Sequence, residues 1–157
     1  MRIPFYAISF IIMLLLPSAA CNLHAQKVTD LRCENLTAPN AIDSNSPHFS
    51  WKTEFSKGGM EQGFYEIQVS SDSVALSGNS ADLWNSRKVK SAASVMVPYQ
   101  GKGLESRALC YWRVRVWSDK NKKSEWSPIA RFGVGIVGND AMRGNYIGLS
   151  SQAGDTR

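Results

Sequence analysis

The stretch LCYWRVRVWS, residues 109–118, alternates strictly between two kinds of side chain. Successive side chains of a β-strand point to opposite faces, so this stretch presents two different surfaces. The first surface is apolar and consists of Cys110, Trp112, Val114 and Val116. The second is aromatic and basic and consists of Tyr111, Arg113, Arg115 and Trp117. The alternation predicts a strand with one face in a hydrophobic core.

A second alternating stretch, FYEIQVS at residues 64–70, predicts another half-buried strand. Its apolar row consists of Tyr65, Ile67 and Val69. The polar residues between them are expected to face water, namely Glu66, Gln68 and Ser70.

Shorter strand-like segments, separated by turn residues, extend the pattern in both directions. They lie at residues 28–36, 49–53, 83–89, 94–98 and 126–133. About seven short strands, without a convincing amphipathic helix, are typical of an all-β sandwich of the fibronectin type III or immunoglobulin kind. We therefore expect such a domain over residues 26–134. Trp51 and Trp112 are expected at its centre, because a buried Trp removes a large apolar area from water.

The first 25 residues have a different character from the rest of the chain. Arg2 is their only charged residue, and an apolar run of about 12 residues follows at 5–16. This run is too short to span a bilayer, which takes about 20 residues. A secretory signal peptide over residues 1–25 is the better interpretation, with cleavage after Ala25. Lipidation of Cys21 is the alternative, and either route predicts export to the periplasm or the extracellular space.

Residues 135–157 are rich in Gly, Asn and Ser and contain one apolar island at 146–149. We interpret them as a linker followed by the start of a further domain that stops early. A natural disordered tail is the alternative.

Composition argues against several classes of function. The chain of 157 residues has a formal net charge of +5. Its one basic cluster consists of Lys120, Lys122 and Lys123, and we interpret it as the solvated tip of a hairpin. It has no nucleic-acid-binding motif. Cys33 and Cys110 lie within apolar strand patterns, which favours buried free thiols over a disulfide. The spacing of Cys and His fits no zinc site, so neither a metal nor a cofactor is predicted.

The aromatic and basic face of residues 111–117 is the one candidate functional surface. Trp126 is predicted on the next strand, where antiparallel pairing brings it within reach of this face. We expect Arg113 and Arg115 to stack on Trp117 and Trp126 as cation–π pairs. Such a face could bind a glycan, brace its own sheet, or dock on another domain.

Several segments, taken in order, resemble the opening domain of bacterial α-L-rhamnosidases. The segments are VTDLRCE at 28–34, PHFSW at 47–51, YEIQVSS at 65–71, DLWNS at 82–86, YWRVRVW at 111–117, SEWS at 124–127 and YIGL at 146–149. Cys110 departs from the pattern, since relatives often have an aromatic residue there.

The resemblance implies an accessory domain, because the family's activity lies in a helical barrel downstream of these segments. There two carboxyl groups hydrolyse terminal α-L-rhamnose with inversion. The matching segments carry neither carboxyl, so no catalytic residue is predicted here. The implied partners are the downstream rhamnosidase domains and rhamnose-containing glycans. A free-standing exported carbohydrate-binding or adhesion module is the alternative.

Overall fold

The computed structural model describes residues 26–55 and 58–137. They form eight strands and one short helix, with these bounds: β1 Lys27–Cys33, β2 His48–Glu54, β3 Gln62–Ser70, α1 Ser73–Ser77, β4 Trp84–Asn85, β5 Val89–Lys90, β6 Val97–Pro98, β7 Leu109–Ser118 and β8 Ala130–Gly133. The predicted signal peptide and its two processing sites lie outside the described residues, as does the apolar island at 146–149.

The strands make two antiparallel sheets that pack on each other. One has the order β1-β2-β6, and the other has the order β4-β3-β7-β8, with β5 pairing to β3. The buried cluster takes apolar residues from both sheets. This is the all-β immunoglobulin-like sandwich that the alternating segments predict.

The apolar rows of β3 and β7 lie on the inner face of the larger sheet. Residues 110, 112, 114 and 116 are all buried, because period-two alternation turns every second side chain inward. The Phe49 ring on β2 lies 4.3 Å, centroid to centroid, from the ring of Trp112. Trp51 is also buried, and its ring lies edge-on to that of Tyr65 at 5.4 Å. Both tryptophans therefore lie in the core.

Two predicted strands have different limits in the structure. The segment 83–89 is two separate strands, β4 and β5, because Ser86 hydrogen-bonds to Ile67 and Arg87 then adopts a left-handed backbone with φ of 56°. The first strand ends at Cys33 and not at Leu36, since Glu34 and Asn35 both have positive φ. Leu36 is consequently exposed.

The helix α1 is not predicted by the sequence pattern. It has five residues, too few to display an amphipathic period, and Leu76 is its one buried residue. Its start is set by Asp72, whose carboxylate accepts a 2.7 Å hydrogen bond from the backbone N–H of Val74. The helix packs against β3 and β7.

The thiols of Cys33 and Cys110 are both buried and free. Burial, the largest cause, raises the pKa of Cys33 to about 12 and that of Cys110 to about 11. Both thiols are therefore protonated at neutral pH, and each packs as a small apolar side chain.

Asp82 joins the loop before β4 to the end of β3. Its carboxylate accepts hydrogen bonds from the hydroxyls of Ser70 (2.6 Å) and Ser71 (2.7 Å) and from the Ser71 backbone N–H (3.0 Å). Burial by itself would raise the pKa of Asp82, but these hydrogen bonds outweigh it and lower the pKa to about 2.

Asp82→Asn is expected to remove part of the acid sensitivity of the fold. A carboxyl with a depressed pKa stabilises the native state above its unfolded pKa, near 3.8, and this contribution is lost as the pH falls toward 2. Asp82 is exposed, so solvent screening limits the contribution to about 1 kcal/mol. Urea unfolding at pH 2.5 and pH 6 measures it, with the exposed Glu125→Gln as control. An unchanged pH dependence in Asp82→Asn would contradict this account.

Candidate functional site

The outer face of the larger sheet carries the residues singled out by the sequence. On β7, Arg113 and Arg115 lie directly opposite Gln68 and Glu66 of β3. Glu66, Gln68 and Ser70 are buried, so the prediction that they face water is wrong. The physical reason is that the arginines and their aromatic neighbours cover this part of β3.

Cationic and aromatic side chains alternate along this face, and we call them the ladder. Its members, in order along the face, are Phe64, Lys88, Trp117, Arg115, Trp126 and Arg113. The guanidinium carbons of Arg113 and Arg115 each lie 4.3 Å from the ring centroid of Trp126. That of Arg115 also lies 5.1 Å from the Trp117 ring. The Nζ atom of Lys88 lies 4.9 Å from the Trp117 ring and 4.4 Å from the Phe64 ring.

Sequence reasoning missed the last two members of the ladder, Lys88 and Phe64. Phe64 lies directly opposite Trp117 in the β3–β7 register. Pairing the two alternating stretches with each other would therefore have placed Phe64 on this face. Lys88 comes from the connection between β4 and β5, and local patterning carries no signal for its position.

Hydrogen bonds hold the two arginines in place. Arg115 donates from Nε (2.9 Å) and from one terminal nitrogen (2.7 Å) to the same Glu66 carboxylate oxygen. Arg113 donates to the amide oxygens of Gln68 (3.1 and 2.8 Å) and Asn79 (2.6 Å). Burial, followed by the nearby Arg115, lowers the pKa of Arg113. Arg113 nevertheless stays charged, because a guanidinium titrates far above neutral pH.

Trp126 reaches the ladder from an irregular segment, because the last strand begins at Ala130 and not at Trp126. Ser124 and Ser127, on either side of it, hydrogen-bond to the backbone of β7. Their hydroxyls accept from the N–H groups of Val116 and Val114, both at 3.0 Å, and their own N–H groups donate to the carbonyls of the same residues. The serine hydroxyls thus take the place of the backbone carbonyl acceptors that a regular paired strand would supply. Pro128, which lacks an N–H, ends this pairing.

Much of the ladder is covered by the domain itself. Trp117 is only 8% exposed and Arg113 only 6%, and Phe64, Arg115 and Trp126 are half-buried. The polar ends of the arginines are engaged by Glu66 and Gln68 of β3 and by Asn79. This arrangement suits bracing of the sheet better than stacking on a sugar ring from solvent.

Trp126→Ala is expected to lower the free energy of unfolding by about 2 kcal/mol, since it removes two cation–π pairs and the apolar cover of both arginines. Trp126→Phe keeps an aromatic face and is expected to lose less than half as much. Chemical denaturation of the two variants measures this. A loss in Trp126→Ala no larger than in Trp126→Phe would show that the stacking contributes nothing.

At the Tyr111 end, the ladder gives way to a shallow depression on the same face. Its volume is about 450 Å³, and it is lined by Ser73, Val74, Ser77, Tyr111, Ile129 and Arg131. The lining residues come from α1, from β7, from β8 and from the segment leading into β8. Of the predicted face, Tyr111 alone contributes to it.

Within residues 26–55 and 58–137, His, Cys, Asp and Glu side chains do not gather in groups of three or more that could hold a metal ion. In the same part of the chain, every helix is too short to cross a membrane.

An aromatic core between two antiparallel sheets, with the ladder across one outer face, defines an immunoglobulin-like sandwich domain. Residues 28–138 match the family described as "Rha78A-like, N-terminal immunoglobulin domain". The chain belongs to this family.

The relatives that the chain matches bear the name α-L-rhamnosidase. That of Alteromonas sp. (strain LOR) is 35% identical over an alignment of 145 residues, which covers 88% of this chain and 16% of the relative. That of Formosa agariphila is 36% identical over 119 residues. The chain spans between 10% and 16% of the length of the curated relatives that it matches.

Solved structures give the same relationship. The α-L-rhamnosidase of Streptomyces avermitilis, crystallised with L-rhamnose, superposes with a TM-score of 0.67 at 36% identity. The superposition covers 71% of this chain and 11% of that enzyme. The α-L-rhamnosidase of Dictyoglumus thermophilum superposes with a TM-score of 0.70 at 33% identity, covering 73% of this chain and 13% of that enzyme.

Proposed function

We propose that this chain is the N-terminal accessory domain of an exported α-L-rhamnosidase. The observation that carries the proposal is the match of residues 28–138 to the N-terminal domain of such enzymes, whose remaining length is several times larger. In this proposal the remaining length hydrolyses terminal α-L-rhamnose from glycans with inversion at the anomeric carbon.

Three acidic side chains of the described residues are held in contacts within the domain. Glu66 pairs with Arg115 at 2.7 Å, Asp30 pairs with Arg32 and Lys52, and Asp82 ties two segments together. Inverting hydrolysis needs two carboxyl groups about 6.5–9.5 Å apart with a water between them. We therefore assign the chemistry to the rest of the enzyme and a structural role to this domain.

The test compares the purified chain with the longer protein encoded by its reading frame, both on an aryl α-L-rhamnoside. We expect no turnover from the chain and turnover from the longer protein. Proton NMR of the first sugar released reports its anomeric configuration, and a retained configuration would refute inversion. Turnover by the chain alone would refute the accessory role.

Export is the second part of the proposal, and it rests on residues 1–25. Cleavage after Ala25 would give a mature protein that begins at Gln26, whereas lipidation would give one that begins at Cys21. The intact mass of the protein recovered from the periplasm and the medium distinguishes the two. Cytoplasmic protein that retains Met1 would contradict export.

We assign the ladder a bracing role within the domain. Calorimetric titration of rhamnose-containing oligosaccharides into the chain is expected to show no binding. Binding that disappears in Trp126→Ala, in a variant that remains folded by circular dichroism, would instead make the ladder a glycan platform.

A further inference from the structure

The depression beside the ladder differs from the rest of this face because its apolar side chains are uncovered. Val74 on α1 is 77% exposed, the highest value for a large hydrophobic residue in the described part of the chain. Ile129, on the opposite rim, is 37% exposed. On the adjoining β7, Leu109 is exposed as well, two residues before Tyr111 and therefore on the same face.

These residues lie next to the end of the described part of the chain. Leu109 pairs with Gly133, which has no side chain and lies against the backbone of Asn40, and Tyr111 pairs with Arg131. Val137, the last described residue, makes two hydrogen bonds with the Ser106 hydroxyl. The Val137 N–H donates to the hydroxyl oxygen (3.1 Å), and the hydroxyl donates to the Val137 carbonyl (3.2 Å). The described part of the chain therefore ends at the β8 end of this face. Two residues of strand, about 7 Å, separate Leu109 from Tyr111 at the rim of the depression.

Arg131 adds a charge to the apolar rim. It is exposed, and within residues 26–55 and 58–137 it has no carboxylate within 4.0 Å. Arg115, by contrast, is satisfied by Glu66. An apolar depression with an available guanidinium at its edge fits an apolar side chain that is accompanied by an Asp or Glu.

We propose that this exit surface, formed by Val74, Leu109, Tyr111, Ile129 and Arg131, docks the following domain of the parent α-L-rhamnosidase. The inference rests on the proposed function and names where the accessory domain contacts the enzyme. Three observations favour this occupant. The relatives are several times longer than the chain, their matching domain is N-terminal, and the described part of the chain ends beside the exposed apolar residues. The ladder, whose arginines are held by side chains of the domain itself, remains outside the contact.

The test is carbene footprinting of the 157-residue chain and of the longer enzyme under the same conditions. Labelling at Val74 and Ile129 is expected to fall by about 5-fold or more in the longer enzyme, because interface residues lose contact with solvent. Val95 is the internal control. It is 68% exposed next to Ser94 and Met96, which hydrogen-bond to β2 of the other sheet, so its labelling is expected to stay the same.

Substitutions supply the second measurement. Val74→Asp and Ile129→Asp are expected to restore labelling of the exit surface in the longer enzyme, and Val74→Asp is expected to leave the unfolding midpoint of the chain alone unchanged. Val95→Asp is expected to leave both the labelling of the exit surface and the unfolding midpoint unchanged.

The outcomes separate the docking surface from the proposed function. A longer enzyme that cleaves the aryl rhamnoside but labels equally at Val74 would overturn the surface and leave the function standing. A decrease in labelling at Val95 alone would place the contact on the other sheet and overturn the proposal. Concentration-dependent dimerisation of the chain that Val74→Asp abolishes would assign the surface to a second copy. A longer protein without rhamnosidase activity would overturn both inferences.

Discussion

Gly133→Ala is expected to destabilise the domain by about 3 kcal/mol or more, at the upper end of the usual range for overpacking. A Cβ at this position of β8 would overlap the backbone carbonyl oxygen of Asn40 and lie 2.8 Å from its carbonyl carbon. Both atoms are backbone, so no side-chain rotation relieves the contact. A loss of this size is a large fraction of the about 5–15 kcal/mol that stabilises a typical domain.

The surrounding hydrogen bonds make the contact harder to relieve. The N–H of Gly133 donates to Pro39 at 2.8 Å, and its carbonyl accepts from Ile42 at 2.9 Å. Moving β8 away from residues 39–42 would break both hydrogen bonds and leave buried backbone groups unpaired.

Urea denaturation measures this effect, and Gly103→Ala is the matched control. Gly103 has no heavy atom within 4 Å of an added Cβ, so its substitution is expected to change stability by less than about 0.5 kcal/mol. Equal unfolding midpoints for the two variants would show that residues 39–42 can move away without cost.

Trp112→Ala is expected to cost about 4 kcal/mol, within the range for truncating a fully buried aromatic residue. Trp112 is 1% exposed and packs on Phe49 across the sandwich, so its removal leaves a cavity between the two sheets. The near-ultraviolet circular dichroism that reports fixed aromatic packing is expected to weaken in the same variant.

Leu109→Ala provides the comparison on the same strand. Its side chain is 44% exposed on the opposite face, so the loss is expected to be below about 1 kcal/mol. If the two variants unfolded at the same urea concentration, Trp112 would not be the central core residue that its burial indicates.

Three conclusions about this protein could be reached from single stretches of sequence. The alternation at residues 109–118 indicates a strand and separates its apolar face from its basic and aromatic face, and both are present in the structure. The alternation at 64–70 indicates the neighbouring strand. Trp112 and Trp51 are recognisable as core residues by size and by their positions in apolar rows.

Other features could not be read locally because they depend on which segments become neighbours. Glu66 and Gln68 look like solvent-facing residues within their own strand, and only the β3–β7 register places an arginine opposite each of them. Lys88 joins the ladder from a connection whose path depends on Arg87 and its left-handed backbone. Likewise, the need for glycine at 133 arises from the close approach of Asn40, which is 93 residues earlier in the chain.

The sequence by itself thus determined the fold class, because strand periodicity is a local property that each stretch carries in its own residues. The tertiary structure alone decided which polar side chains are buried, where the ladder closes and which apolar side chains remain exposed. The physical reason is that burial and pairing are properties of contacts between distant segments, and the free energy of such contacts depends on the partner that packing supplies.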